Sequence, residues 1–470
     1  MTQPPNIILV LTDQQRADHI GYVPRSPVRT PVLDGLAGAG TIFTDTYSAA
    51  TNCAPARGSL FTGLPPQSYP GHIGGLATSG RSLKPGFWTV GHELRANGYQ
   101  TGYVGKGHFR PIHANHGFTV MRMAEHLRAY GANEMDQPVD DWLRWLVWQG
   151  RADASATHLF GAEGEGRQYL DAWTAVPFGH PAAYHPTSWV TDEAIGFLAA
   201  RTPDQPYFLV VSYPHPHAPL DPPEPYDTMY DPADVELPPP YEPPPGGILD
   251  WWADQLGRVG RQVPGNEDTA RRAIAFYRGL ITQIDDNMGR LIDHVDLDDT
   301  VVCFTSDHGD YVGHKNRMFK NPLIPFEDLA RVAMFWVGAG IEPGVCRAPV
   351  QSSDFAPTVL ELTDIDRPRF TEDLVSLAPA FTDAASADPE RIVHTFDRTG
   401  VNLSARLGSM KYIKAVISDE SVLFDLADDP EETTSVIDDP AHADVVAELE
   451  ASIGRYSSAG IPDLPYFAES

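Results

Sequence analysis

NIILVLTD, residues 6–13, decides the fold. Its five consecutive aliphatic residues, Ile7 to Leu11, leave no polar face, so the run reads as a strand buried on both sides. The same kind of run returns at 99–105 (YQTGYVG), 206–213 (PYFLVVSY) and 299–307 (DTVVCFTSD). Between these runs, amphipathic stretches at 30–40, 88–98, 191–201 and 273–295 read as helices. Buried strands alternating with helices predict an α/β domain, a sheet with helices on both faces. Polar residues follow the strand ends: Asp13, then Lys106 and His108, then His215 and His217, then Asp307 and His308. The carboxyl ends of the strands are where such sheets place their sites.

From about residue 391 the pattern changes. RIVHTFD, VNLSARLG, MKYIKAVI and SVLFDL read as short antiparallel strands, followed by a helix near 440–456. We therefore expect a catalytic α/β domain over 1–370 and a C-terminal subdomain over 371–470. Two segments interrupt the rhythm. Residues 125–190 carry Trp142, Trp145, Trp148, Trp173 and Trp189, and the Pro-rich residues 218–265 carry Trp251 and Trp252. They read as insertions, either extra packing or walls of a substrate pocket.

The chain has 470 residues and a formal net charge of −29, which disfavours a nucleic-acid partner. No apolar run is long enough for a membrane span. Ile7–Leu11 lacks the basic flank of a signal peptide. Three cysteines do not make a disulfide framework. Cys303, inside VVCFTS, reads as a packed apolar residue. A reducing, cytoplasmic setting is the expectation. There are only six lysines: 84, 106, 315, 320, 411 and 414. An acidic protein acting on an anion must concentrate its positive charge locally.

CAPARG, residues 53–58, is followed by LFTG, 60–63. Pro55 suits the first turn of a helix, which puts Cys53 at its positive end and Arg57 one turn further on. Taken alone, this describes either an activated thiolate with an arginine clamp or a buried cysteine in a loop. The pattern C-x-P-x-R with L-x-T-G resembles the modification signature of formylglycine-dependent sulfatases, in the alkaline phosphatase superfamily. Ala56 stands where the family often has Ser. DQQRAD (13–18) is similar to the family's first metal motif and TSDHG (305–309) to its second. GKGH (105–108) resembles its G-K-x-H pair, and PHAP (216–219) its P-H-x-P element. Lys320 matches the distal lysine, and LFDL (423–426) with Asp429, Pro430 and Glu431 resembles the closing strand and turn.

The resemblance implies an alkaline phosphatase-like fold: a large mixed, mostly parallel sheet sandwiched by helices. It also implies one divalent metal ion on Asp13, Gln14, residue 53, Asp307 and His308. Two carboxylates, an amide oxygen and a histidine suit Ca²⁺ or Mn²⁺ foremost, with Mg²⁺ and Zn²⁺ as alternatives. A formylglycine-generating enzyme would convert Cys53 to the aldehyde, whose hydrate attacks a small anionic ester. Arg57, Lys106 and Lys320 would balance charge on the equatorial oxygens. His108 would take the proton from the hydrate, and His217 or Lys320 would stabilise the leaving oxygen.

Other residues read as structural. Asp18 is expected to partner Arg16 or cap a helix, and His215 to sit on the rim. His314 and Lys315 are rim residues or substitutes for Lys320. His72, His92, His113 and His116 carry no motif. Three functions compete: a sulfate monoester hydrolase, a phosphonate monoester or phosphodiester hydrolase, and a catalytically silent binding protein. Lys106 and His108 favour the first, because the phosphonate hydrolases carry Thr and Tyr types there.

Overall fold

The computed structural model describes residues 4–68, 83–109, 111–125, 140–151, 154, 175–258, 267–320, 324–366, 368, 374–397, 401–416 and 418–457. Residues 6–13 form strand β1 (Asn6–Asp13), buried from Ile7 onward. It lies inside a nine-stranded sheet made with β2 (Thr41–Tyr47), β3 (Gln100–Gly105), β4 (Val120–Met123), β5 (Tyr207–Pro216), β6 (Thr300–Ser306), β7 (Arg331–Gly338), β8 (Gly344–Cys346) and β9 (Val350–Gln351). The order is β4-β3-β5-β1-β6-β7-β2-β8, with β9 also paired to β2. From β4 to β6 every pairing is parallel. β7 runs antiparallel to β6 and β2. The sheet is therefore mixed and mostly parallel.

The pleat sends alternate residues of β1 into two cores. Ile7, Leu9 and Leu11 join one, with Leu60 and Phe61 of α2 (Cys53–Thr62), Val90 and Leu94 of α3 (Val90–Ala96), and Phe355 and Val359. Ile8 and Val10 join the other, with Leu33 and Leu36 of α1 (Pro31–Gly38) and Trp142 and Leu146 of α4 (Asp141–Trp148). Val190 and Leu198 of α5 (Pro186–Ala200) and Ile284 and Met288 of α7 (Glu267–Ile292) complete that face. α6 (Gly247–Arg258) lies between these last two helices in sequence. No helix among the described residues is long and apolar enough to cross a membrane.

A separate antiparallel sheet holds β10 (Val393–Phe396), β11 (Asn402–Leu407), β12 (Met410–Ala415) and β13 (Glu420–Asp425). The helix Ala443–Ser457 packs on it through Leu449 and Ile453. Lys411 ties this sheet to the large one, 2.9 Å from Glu327 and 2.8 Å from Glu432. The large core runs past the expected boundary near 370, because Leu377, Ala380 and Phe381 pack into it.

Two of the tryptophans in these segments follow the packing alternative. Trp142 is buried under the large sheet, and Trp252 is buried with Tyr241, Phe326 and Phe424. Trp251 and Trp148 are exposed. Trp173, His72 and much of 126–174 and 259–266 lie outside the described residues.

Candidate active site

The polar residues at the carboxyl ends of β1 and β6 meet because the two strands are parallel neighbours, with Thr12 level with Ser306. Asp13 and Asp307 therefore arrive side by side. The Asp307 backbone N–H donates to Thr12 O at 3.1 Å. Cys53 opens α2, whose axis runs to Gly63, where a left-handed φ of 72° ends the helix. The thiol thus sits at the helix N-terminus, the end that favours negative charge. One ligand atom each from Asp13, Cys53, Asp307 and His308 lies within 4.8 Å of the others, and all four residues are buried.

Arg57 braces the two carboxylates. Its Nη2 is 3.0 Å from Asp13 and its Nε 2.9 Å from Asp307. Its Nη1 donates to Lys106 O and, at 2.8 Å, to Ser212 Oγ. These bonds make Arg57 a brace between the two carboxylates, a role the sequence did not predict. Lys106 places Nζ 2.8 Å from Asp13. It leaves β3 through Gly105, where φ is +103° and a Cβ would meet Ser212 O at 1.8 Å, so only glycine fits. Glu125 accepts from Gly107 N and His108 N at 2.7 and 2.8 Å and fixes this loop.

Lys320 Nζ sits 2.8 Å from Cys53 Sγ, 3.0 Å from Gln14 Oε1 and 3.2 Å from His308 Nε2. His308 donates from Nδ1 to Gly309 O at 2.8 Å, which turns its Nε2 to the cluster, 3.2 Å from Cys53 Sγ. His217 donates from Nδ1 to Ala218 O at 2.7 Å. Its ring stacks near Phe319, with centroids 6.3 Å apart. Among the described residues no hydrogen bond reaches the His108 ring, and its Nδ1 is buried. The expected contact between His108 and residue 53 is therefore not formed here.

Burial alone would raise the Asp13 carboxyl, but the positive charges around it, Lys106 foremost, then Arg57 and Lys320, outweigh it and hold Asp13 well below the carboxylate range. Burial and then the charge of Asp13 push Asp307 up. Burial and the charge of Asp13 would likewise raise the Cys53 thiol, yet Lys320, Lys106 and His308 draw it well below its ordinary value. Burial, then Lys106 and Lys320, lower His217, which favours its neutral form. Facing carboxylates, an amide oxygen and an imidazole nitrogen form a donor set that fits a divalent cation, and the Lys320 ammonium already lies against two of these donors, Gln14 Oε1 and His308 Nε2.

The remaining candidates sort as follows. Asp18 pairs with Arg16 at 2.8 Å, the expected structural role. Lys315 is buried, 3.6 Å from Asp328 and 3.8 Å from Glu431, with His314 beside it at 3.3 Å from Glu431. Neither replaces Lys320. His215 is fully buried rather than on the rim. With His185 and Asp221 it forms a second group, its Nε2 3.5 Å from Asp221 Oδ1. Thr187 N donates to His185 Nδ1 at 3.3 Å, which leaves the ring proton on Nε2, facing Asp221. The group joins α5 to the end of β5, with Thr187 Oγ1 3.1 Å from His215 Nδ1, and its three side chains lie close enough together to hold a metal ion. Asp310, Ser48 and Tyr277 also contact the site residues. None of the three was singled out in the sequence, although Asp310 directly follows the second motif, TSDHG (305–309).

The fold is that of the alkaline phosphatase superfamily. The structure superposes on the phosphonate monoester hydrolase of Agrobacterium radiobacter with a TM-score of 0.73, over 96% of this chain and 95% of that one, at 21% identity. A family model for sulfatases matches residues 5–365, and the chain belongs to the sulfatase family. It is 30% identical to an arylsulfatase of Clostridium perfringens, over 92% of this chain and 90% of the relative. It is 27% identical to a multifunctional alkaline phosphatase superfamily protein of Trinickia caryophylli, over 94% and 93% of the two chains.

Proposed function

We propose that this protein hydrolyses a sulfate monoester, with residue 53 as formylglycine and one divalent cation. The observation that carries the reading is the convergence of Asp13, Gln14, Asp307 and His308 on Cys53 at the N-terminus of α2. Family membership supports sulfate ester hydrolysis. Asp13, Gln14, Asp307 and His308 would hold the cation with residue 53, and the cation would supply Lewis-acid charge stabilisation. As the formylglycine hydrate, residue 53 would supply an oxygen nucleophile and a second hydroxyl whose collapse to the aldehyde expels sulfate.

The chain's own groups set up the rest. Lys106 and Lys320 flank residue 53 and favour negative charge on a bound ester. Arg57 keeps Asp13 and Asp307 in register. His217, neutral by its surroundings, and Lys320 are the candidates to meet the leaving oxygen. His108 is the proposed base for the second hydroxyl. Modification by a formylglycine-generating enzyme, a cytoplasmic location and a division into a catalytic domain and a C-terminal subdomain, with the boundary beyond Phe381 in place of 370, belong to the same proposal.

A second reading, hydrolysis of a phosphonate monoester or phosphodiester, is favoured by the likeness to the phosphonate monoester hydrolase fold. One experiment separates the two: rates on an aryl sulfate, a phosphate diester and a phosphonate monoester sharing one leaving group. The sulfate should be preferred, and preference for the phosphonate or diester would reverse the order. Turnover of none would point to the silent binding protein. Intact mass then reports whether residue 53 was converted, as a loss of about 18 Da for the aldehyde.

A further inference from the structure

We infer that Asp310 is the residue that orients the Gln14 side-chain amide, so that its oxygen and not its nitrogen faces the cation site. The inference rests on the metal reading above. An amide side chain has one end that only donates and one that only accepts. A ligand to a cation must present the oxygen, and the two ends differ little in shape, so something must choose between them.

The surroundings of Gln14 make that choice. Its Nε2 donates to Asp310 Oδ2, and its Oε1 accepts from Lys320 Nζ at 3.0 Å. A carboxylate accepts only and an ammonium donates only, so reversing the amide would break both contacts at once. Gln14 and Asp310 are buried, and the cost of two mismatched contacts is correspondingly high. Asp310 is itself fixed: its Oδ1 accepts from Val312 N at 2.8 Å, and its carbonyl accepts from Arg16 Nη1 at 2.9 Å. The backbone of Gln14 is held as well. It adopts a left-handed φ of 71°, its N–H donates to Asp307 at 3.0 Å, and its carbonyl accepts from Tyr277 OH at 2.7 Å. With backbone and carboxylate both locked, the only freedom left to the amide is its flip, and Asp310 removes it. Asp310 is a positioning residue, acting on the cation site through Gln14.

The test is Mn²⁺ binding to the metal-free protein by titration calorimetry, without substrate. Asp310→Asn can both donate and accept, so it no longer selects one orientation. We expect it to weaken Mn²⁺ binding about 10- to 100-fold, as supporting residues around metal ligands do. Gln14→Glu replaces the amide by a carboxylate of the same length with two equivalent oxygens, which needs no orienting. In that background Asp310→Asn should leave Mn²⁺ affinity unchanged or tighter, because it also removes a repelling charge. Recovery in the double variant also shows that Asp310→Asn does not act by unfolding the site. Equal loss in both backgrounds, or wild-type affinity in Asp310→Asn, overturns the inference and leaves the metal reading standing. Failure of the wild-type chain to bind Mn²⁺ or Ca²⁺ would overturn both.

Discussion

Lys320 Nζ stands 2.8 Å from Cys53 Sγ, across 267 residues of chain. An ammonium so close to the nucleophile position, in a buried setting, is worth much more than at a surface. We predict that Lys320→Met, which keeps the length of the stem, lowers kcat/KM on an aryl sulfate by about 100- to 1000-fold. Lys315→Met is the contrast. Lys315 is buried against Asp328 and Glu431, so its loss should lower the melting temperature and leave the rate of the folded enzyme nearly unchanged. Equal kinetic losses for the two variants would remove Lys320 from the chemistry.

Arg57 spans two carboxylates that otherwise face each other. Lysine has one nitrogen and cannot bond both in that geometry. Arg57→Lys should therefore cost about 3–5 kcal/mol of stability, the range for breaking a buried pair. A divalent cation would relieve the same repulsion. The loss measured in chelator should then shrink when Mn²⁺ is saturating. A loss that is the same with and without Mn²⁺ would show that the cation does not sit between these carboxylates.

What the sequence could and could not reveal follows from how local each signal is. β1, β5 and β6 were legible because buried parallel strands are continuous apolar runs. β2, TIFTDTY, alternates buried and half-buried residues, and its place beside β7 is set by pairing alone. α5 begins at Pro186, five residues before its amphipathic stretch, because His185 caps it and proline suits its first turn. The motifs proposed to carry the nucleophile and the metal are short strings, and their residues at 13–14, 53 and 307–308 do come together. Arg57 as a brace and Asp310 as a guide for Gln14 were not legible, because each acts on residues more than 40 positions away. The Trp-rich insertions stayed ambiguous because large apolar side chains fill cores as readily as they line pockets. Trp142→Ala and Trp252→Ala should accordingly cost stability, about 3–5 kcal/mol each. Exposed Trp251 should cost little. A change in substrate ranking by the buried pair, without loss of stability, would restore them to the pocket.

His394 supplies a pH prediction away from the site. Its buried ring on β10 lies 3.1 Å from Ser452 Oγ in the C-terminal helix. Burial first, then Arg391 and Arg455, push its pKa down to about 3. In the unfolded chain the value is about 6.5. Between these values the unfolded chain binds more protons, so this contribution is complete above about 6.5 and is lost as pH falls toward 3. At roughly 1.4 kcal/mol per unit, acidification from pH 7 to 5 should remove about 2 kcal/mol through His394 alone. Urea unfolding at the two pH values should show a smaller drop for His394→Gln than for wild type, by about that amount. Identical drops would mean that His394 titrates normally in the folded protein.

The last prediction concerns Cys53 and how the product leaves. A simple hydroxyl nucleophile, once sulfated, must wait for water to attack the sulfur. A formylglycine hydrate instead breaks its own C–O bond: the second hydroxyl loses a proton, the carbon returns to the aldehyde, and sulfate departs with the bonding pair. Cys53→Ser keeps an oxygen at the N-terminus of α2, beside Lys320 and His308, and removes only that exit. We predict that this variant accepts one sulfonate group and then stalls. Intact mass after exposure to an aryl sulfate should show a gain of about 80 Da on a fraction of the protein. The released phenol should appear as at most one equivalent per chain. His108→Ala tests the proposed base: with the aldehyde present, it should slow release more than attack, so that sulfated enzyme accumulates during turnover. Sustained turnover by Cys53→Ser at the wild-type rate would show that the aldehyde is not needed, and the mechanism would fail while the fold and the family stand.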